Sequence, residues 1–170
     1  MAIPLVPSLV AIVALLACSA FFSSSETALF SLSREWLAEA ARTDTRAAAV
    51  EDALADPHEL LVTLLVGNNV VNITLSSLLT ALLVDRFQSG TAVLVTTVVA
   101  STAILIAGEI IPKAYGLGQA QTYALRVVRP LRYVGVVLYP AVAVFDLLTR
   151  AVSTRIGGQQ SIERTYDEIE

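Results

Sequence analysis

Polar chemistry sits inside apolar runs long enough to cross a membrane, and that constrains this chain more than any other feature. Ser23-Ser24-Ser25-Glu26-Thr27 closes the first run, Gly67-Asn68-Asn69-Val70-Val71-Asn72 interrupts the second, and Gly108-Glu109-Ile110-Ile111-Pro112-Lys113 closes the third. Carboxylates, amides and a helix-breaking proline are expensive in hydrocarbon, so an intramembrane cluster of them marks a functional site by default. These oxygen-rich residue types suit a small hard cation.

Composition agrees with a membrane location. The chain has 170 residues, of which 55% are hydrophobic and only 15% charged. Its mean hydropathy of +0.70 is too high for a soluble domain of this size. A net charge of -4 with no basic stripe excludes nucleic acid as an expected partner. The single cysteine, Cys18, excludes an intrachain disulfide framework and a cysteine-rich zinc site, and among Leu15, Leu16 and Ala17 it reads as a small buried residue. No Lys or Arg precedes Arg34, so the first apolar run reads as a retained helix, not a cleaved signal.

An all-α membrane protein is expected, with three transmembrane helices, short juxtamembrane helices and a kinked amphipathic belt helix. The spans run over Ile3–Leu32, Leu60–Val84 and Thr91–Ile111, each near or above the ~20 residues that a helical crossing needs. Asp56-Pro57-His58-Glu59 is a helix start, with proline and acid in the first turn. The alanine-rich stretch from Arg34 to Asp56 predicts short surface helices. The fourth apolar stretch, Thr122–Thr149, carries Arg126, Arg129 and Arg132 at a spacing of three and is divided by Pro130 and Pro140. It is expected to lie along the inner interface with its arginines toward lipid phosphates, not to cross.

Basic residues set the expected orientation. Arg34, Arg42 and Arg46 follow span one, and Lys113, Arg126, Arg129, Arg132, Arg150, Arg155 and Arg164 follow span three, whereas the loop between spans two and three holds only Arg86. The positive-inside rule then puts the N-terminus outside and the C-terminus in the cytoplasm. In that topology Glu26, Asn68 and Glu109 all fall in the inner half of the bilayer, at ~1.5 Å of rise per residue.

Each cluster has its own chemistry. Asn68 and Asn72 are i,i+4 neighbours, so their carboxamides share a helical face and serve either as neutral ion ligands or as interhelical hydrogen bonds. Asn69 faces elsewhere. Serines such as Ser23, Ser24 and Ser25 can bond back to backbone carbonyls or pack helices closely. Glu26 needs a cation, a donor network or a proton. Pro112 has no N–H for the carbonyl of Gly108, which is expected to stand free toward an ion or a water-filled cavity. Glu109 and Lys113 are i,i+4 and could neutralise each other as an ion pair.

These three motifs in this order resemble the DUF21 transmembrane domain of the CNNM/CorC magnesium transporters, over about Leu5 to Arg150. One difference is visible: the family usually reads Phe-Ser-Gly-Ser-Glu-Thr, and here Ser24 stands at the glycine. The resemblance implies a homodimer of three-spanning subunits in the cell membrane, with a belt-like helix at its surface. It also implies export of Mg²⁺, coupled to inward movement of Na⁺, and a cytosolic CBS-domain pair that binds ATP. By motif position it makes Ser25, Asn68 and Asn72 ion ligands, with Glu26 and Glu109 lining the site. Taken with the chemistry of the third motif, the expected metal site is Ser25, Asn68, Asn72, Gly108 and Glu109, with Ser23, Glu26, Pro112 and Lys113 lining or gating it.

Residues 1–150 form the expected transmembrane domain. Residues 151–170, with Gly157-Gly158-Gln159-Gln160-Ser161 and acidic Asp167-Glu168-Ile169-Glu170, read as a cytoplasmic linker toward a CBS pair outside this chain. No Gly-rich phosphate loop is present, so no nucleotide site is expected in these residues. An intramembrane enzyme is not expected either, for the spans hold no Ser/His dyad, metal-binding His motif or Asp pair. A non-transporting scaffold or Mg²⁺ sensor, its polar clusters acting as interhelical contacts, is the rival function.

Overall fold

The computed structural model describes residues 4–84 and 89–156, except the side chains of residues 89, 92 and 145–156. The expected linker over residues 157–170 lies outside the described residues. Every described element is helical: α1 (Leu5–Phe30), α2 (Arg34–Ala41), α3 (Thr45–Ala53), α4 (Pro57–Val84), α5 (Ser89–Ala103), a π-helical segment (Ile104–Ile110), α6 (Ile111–Gly118) and α7 (Ala120–Ile156).

Local sequence explains where α2, α3 and α4 begin. The Ser33 hydroxyl accepts the N–H of Trp36 at 3.2 Å, Asp44 accepts that of Arg46 at 2.8 Å, and Asp56 accepts that of Glu59 at 3.0 Å. Each cap satisfies an amide that the first helical turn leaves without a partner, and Pro57 opens α4 where no N–H is needed. At the second cap the Arg46 guanidinium also grips the Asp44 carboxylate, 2.8 Å away, and holds its pKa below the usual range.

Four stretches among the described residues are long and apolar enough to cross a membrane: Leu5–Phe30, Pro57–Val84, Val93–Gly118 and Ala120–Val144. The third extends beyond the expected end at Ile111, because Pro112 falls within a helical stretch that continues to Gly118. The fourth is the main departure from expectation. Pro130 and Pro140 do not divide it into separate helices; both lie inside the 37-residue α7. Its first 25 residues satisfy length and composition for a span, so the structure does not single out three crossings. Arg126, Arg129 and Arg132 count against a crossing, but the rest of that window is apolar enough to qualify.

α1 packs against α4, α6, the π-helical segment and α7, and so forms the axis of the bundle. The apolar core lies toward its C-terminal end, where Phe22 and Leu29 meet Leu37, Val50, Leu60, Leu64, Val128 and Leu131. Farther along α4 and α5, Val70, Ile73, Val93, Leu94 and Val98 stay exposed, an apolar surface suited to lipid or to another subunit. Cys18, expected to be buried, is exposed on α1.

One contact sets the approach of α6 to α1. A Cβ on Gly116 would stand 2.4 Å from the backbone oxygen of Ser24, and backbone cannot step aside as a side chain can. Gly116→Ala is therefore expected to lower stability by about 1–3 kcal/mol, since the clash outweighs alanine's helix preference of about 1 kcal/mol. Gly118, with nothing within 4 Å of its would-be Cβ, is the control: Gly118→Ala should be neutral or mildly stabilising. Thermal unfolding in detergent, with both variants side by side, measures the difference.

Candidate functional site

The three motifs meet on α1. The Ser19 hydroxyl donates to the carboxamide oxygen of Asn68 at 3.1 Å, joining α1 to the second motif. A Cβ on Gly108 would lie 2.7 Å from the same hydroxyl oxygen, so Ser19 also touches the third motif. About two turns farther along α1, the Lys113 ammonium lies 3.1 Å from a Glu26 carboxylate oxygen, closing a salt bridge between the first and third motifs. Glycine at 108 leaves room for the Ser19 hydroxyl at the second of these approaches.

The helix break takes a definite form. Pro112 is buried, and the chain reaches it through a π-helical segment containing Gly108 and Glu109. In that segment the N–H of Ile111 donates to the carbonyl of Ile106, five residues back. A π turn inserts one extra residue and re-aims the side chains around it, often at functional sites. Pro112, having no N–H, cannot bond the Gly108 carbonyl in the α pattern. The expected irregularity is thus present, though as a π segment ahead of the proline and not as a broken helix.

The ion pair is not the one that sequence spacing suggested. Lys113 pairs with Glu26 across two helices, while half-buried Glu109 makes neither a hydrogen bond nor an ion pair among the described residues. Long-range packing decides this choice, because α6 lies against α1 at that level. Glu26 thereby has the cation that an intramembrane carboxylate needs, while Glu109 has none from the protein.

Several other motif oxygens have no partner. The hydroxyls of Ser23 and Ser25 and the carboxamide oxygen of Asn72 are buried without a hydrogen bond; among the described residues only Thr96, on α5, shares that state. An unmet buried polar group costs about 1–3 kcal/mol, and three of these four belong to the expected site residues. They do not converge on one point. Ser25 is about 200° around α1 from Ser23, at about 100° per residue. From the level of the Ser19–Asn68 bond, Ser25 lies about 9 Å along one helix, while Asn72 lies about 6 Å along α4 in the other direction. The orphans therefore spread along the α1 seam above and below that bond. Among the described residues no group of three His, Cys, Asp or Glu side chains could hold a metal, so available donors are mostly neutral oxygens.

Two contributors were missed in the sequence. Ser19 shares a helical face with Ser23 and Glu26 at i, i+4 and i+7, a periodicity that could have revealed it. Tyr123 shares a 2.7 Å hydrogen bond with the Ser24 hydroxyl, which also donates to the carbonyl of Ala20 at 2.6 Å. Tyr123 in turn packs edge-on against Tyr115, with ring centroids 5.4 Å apart. Its distance in sequence from Ser24 left no local signal.

These partnerships separate ligand from interhelical contact by experiment. Ser19→Ala strands the Asn68 oxygen and should cost about 1–3 kcal/mol whether or not ions are present. Ser23→Ala and Asn72→Leu remove oxygens that have no partner, so in chelator the variants should match or exceed the parent in thermal stability. If the orphan oxygens serve a cation, both variants lose stabilisation by added Mg²⁺. Stabilisation that survives in both shows that these two oxygens hold no ion.

Comparisons with known proteins show the family. The profile of the CNNM family, described as the cyclin M transmembrane N-terminal domain, matches residues 10–170. A putative DUF21 domain-containing protein of Arabidopsis thaliana, named as chloroplastic, is 32% identical over 92% of this chain and 24% of its own length. The UPF0053 inner membrane protein YfjD of Escherichia coli is 31% identical over 82% of the chain and 32% of its own length. A UPF0053 protein of Haemophilus influenzae is 28% identical over 91% of the chain and 37% of its own length. The chain spans between 24% and 37% of the length of these relatives. With four apolar helical stretches of spanning length among the described residues and a match over nearly its whole length, this chain is a multi-pass membrane protein that belongs to the CNNM family.

Proposed function

We propose that this domain carries Mg²⁺ out of the cytoplasm, coupled to inward movement of Na⁺, along the α1 seam where the three motifs meet. The observation that carries the reading is the set of buried, unpartnered oxygens on Ser23, Ser25 and Asn72. Such oxygens persist at membrane depth only where something else satisfies them, and a partly hydrated cation does so. Mg²⁺ keeps several of its waters at about 2.0–2.1 Å, so scattered neutral oxygens along a path suit it better than an all-carboxylate cage.

Lys113 supplies the gate in this proposal. Its ammonium sits on Glu26 as a tethered cation, and an arriving Mg²⁺ competes for that carboxylate. Glu109, with no cation of its own, offers negative charge at the π segment, where the Gly108 carbonyl is the backbone donor. Ser25, Asn68 and Asn72 are the side-chain ligands, encountered in succession and not as one shell. ATP enters the proposal only through CBS domains outside this chain, and the working unit is a homodimer in the cell membrane.

The scaffold or sensor reading has one observation in its favour: Asn68 already has a protein partner in Ser19, as an interhelical contact would. Flux separates the two. Purified protein in liposomes should pass Mg²⁺ faster when a Na⁺ gradient opposes it, and binding without flux means a scaffold. Glu109→Gln should impair transport, as should Pro112→Ala, which restores an N–H and a regular turn without loss of stability. Lys113→Gln should shift the Mg²⁺ concentration for half-maximal flux, because Glu26 then has no competing ammonium. Unmodified rates in the proline variant remove the π segment from the mechanism.

The proposed topology has three crossings, with the N-terminus outside, the C-terminus inside and α7 as the belt. It is supported by the way α7 meets several helices in turn: Tyr123 bonds Ser24 of α1, Arg132 lies 2.6 Å from Asp52 of α3, and Gly135 approaches Thr63 of α4. In a Cys18→Ala background, Gly90→Cys and Ser161→Cys should label from opposite sides of the membrane. Labelling from the same side means that α7 crosses.

A further inference from the structure

A second cavity lies apart from the ion seam, between the start of α4 and the middle of α7. It measures about 450 Å³, within the range of roughly 300–1,000 Å³ typical of small-molecule sites. Asp52, Asp56 and Glu59 bring carboxylates to its wall, and Arg132 brings a guanidinium. Arg132 and Asp52 already pair at 2.6 Å, with both side chains largely exposed and able to turn to a ligand. Deeper in, Thr63, only 7% exposed, lines the cavity and brings a hydroxyl to its wall.

Farther along the same α4–α7 seam is a crevice of about 290 Å³ with apolar walls, between Gly67 and Val70 on one side and Val134, Val137 and Leu138 on the other. A charged chamber at the foot of a membrane helix with an apolar slot above it has the shape of an amphiphile. Both signs of charge in one chamber suit neither a bare cation nor a bare anion. They suit a zwitterion, its phosphate toward Arg132 and its ammonium toward Asp56 and Glu59.

We propose that this seam binds a phospholipid with a primary-ammonium headgroup, such as phosphatidylethanolamine, with one acyl chain in the apolar crevice. A primary ammonium offers three N–H donors to the carboxylates, whereas a choline headgroup offers none. Thr63 supplies a hydroxyl to the headgroup at the junction of chamber and crevice. The bound lipid holds α7 against α4, the helix that carries Asn68 and Asn72. This inference rests on the membrane location of the chain and not on its transporting an ion.

The test is lipid binding by native mass spectrometry of the detergent-purified chain, titrated with phosphatidylethanolamine, phosphatidylcholine and phosphatidylglycerol of identical acyl chains. The ethanolamine lipid should bind about tenfold tighter than the other two, the factor carried by one charge-assisted hydrogen bond. The double variant Asp56→Asn with Glu59→Gln should abolish that preference while keeping the α4 cap, since asparagine caps as aspartate does. Val70→Trp, on an exposed wall of the crevice, should weaken binding of all three lipids. Soluble glycerophosphoethanolamine should fail to compete at equal concentration. Equal binding of the three lipids, or a preference that survives the double variant, overturns the headgroup assignment. Unchanged binding in Val70→Trp, or full competition by the soluble headgroup, overturns the acyl-chain site.

Discussion

The close packing of α1 against α6 and the π segment is the constraint on which the rest of this structure depends. At Gly116 the neighbouring backbone leaves no room for a Cβ, and at Gly108 a Cβ would run into the Ser19 hydroxyl. Two glycines thus bring a polar helix face within hydrogen-bonding distance of its neighbours. In a membrane this approach replaces the hydrophobic drive that would hold such helices together in water. Once α6 lies on α1 at that distance, Lys113 reaches Glu26, and Pro112 is buried beside them.

That arrangement divides the polar residues into two classes. Ser19, Asn68, Ser24 and Tyr123 satisfy one another and hold helices together. Ser23, Ser25 and Asn72 are buried with nothing to satisfy them, and Glu109 has no cation. In hydrocarbon the second class costs stability unless an ion or water completes it, which is why the proposed transport path follows these residues. The same residue type falls into both classes: Asn68 has a partner and Asn72 does not. Their shared face says nothing of this difference, because it arises from the depth at which Ser19 meets α4.

The apolar runs, the caps and the proline were legible because each acts locally. Ser33, Asp44 and Asp56 start helices through bonds to residues two or three positions away, and Pro112 disturbs the turn immediately before it. The family itself was legible from three short motifs in order. Less legible was the role of α7, since its arginines and prolines argued against a crossing while its length and hydropathy allow one. Tyr123 and Arg132 were not legible as partners of Ser24 and Asp52, for no local pattern links residues so far apart in sequence.

By itself, then, the sequence determined that this chain is helical, that it belongs in a membrane, and which residues carry its polar chemistry, because burial of apolar length and backbone satisfaction are local demands. Only the tertiary structure decided which of those residues face one another. The Glu109–Lys113 spacing favoured a pair within one helix, yet the approach of α6 to α1 put Glu26 within reach of the same ammonium at 3.1 Å. A flexible lysine next to two carboxylates is assigned by packing geometry, and that geometry is set by glycines that lie outside the pair.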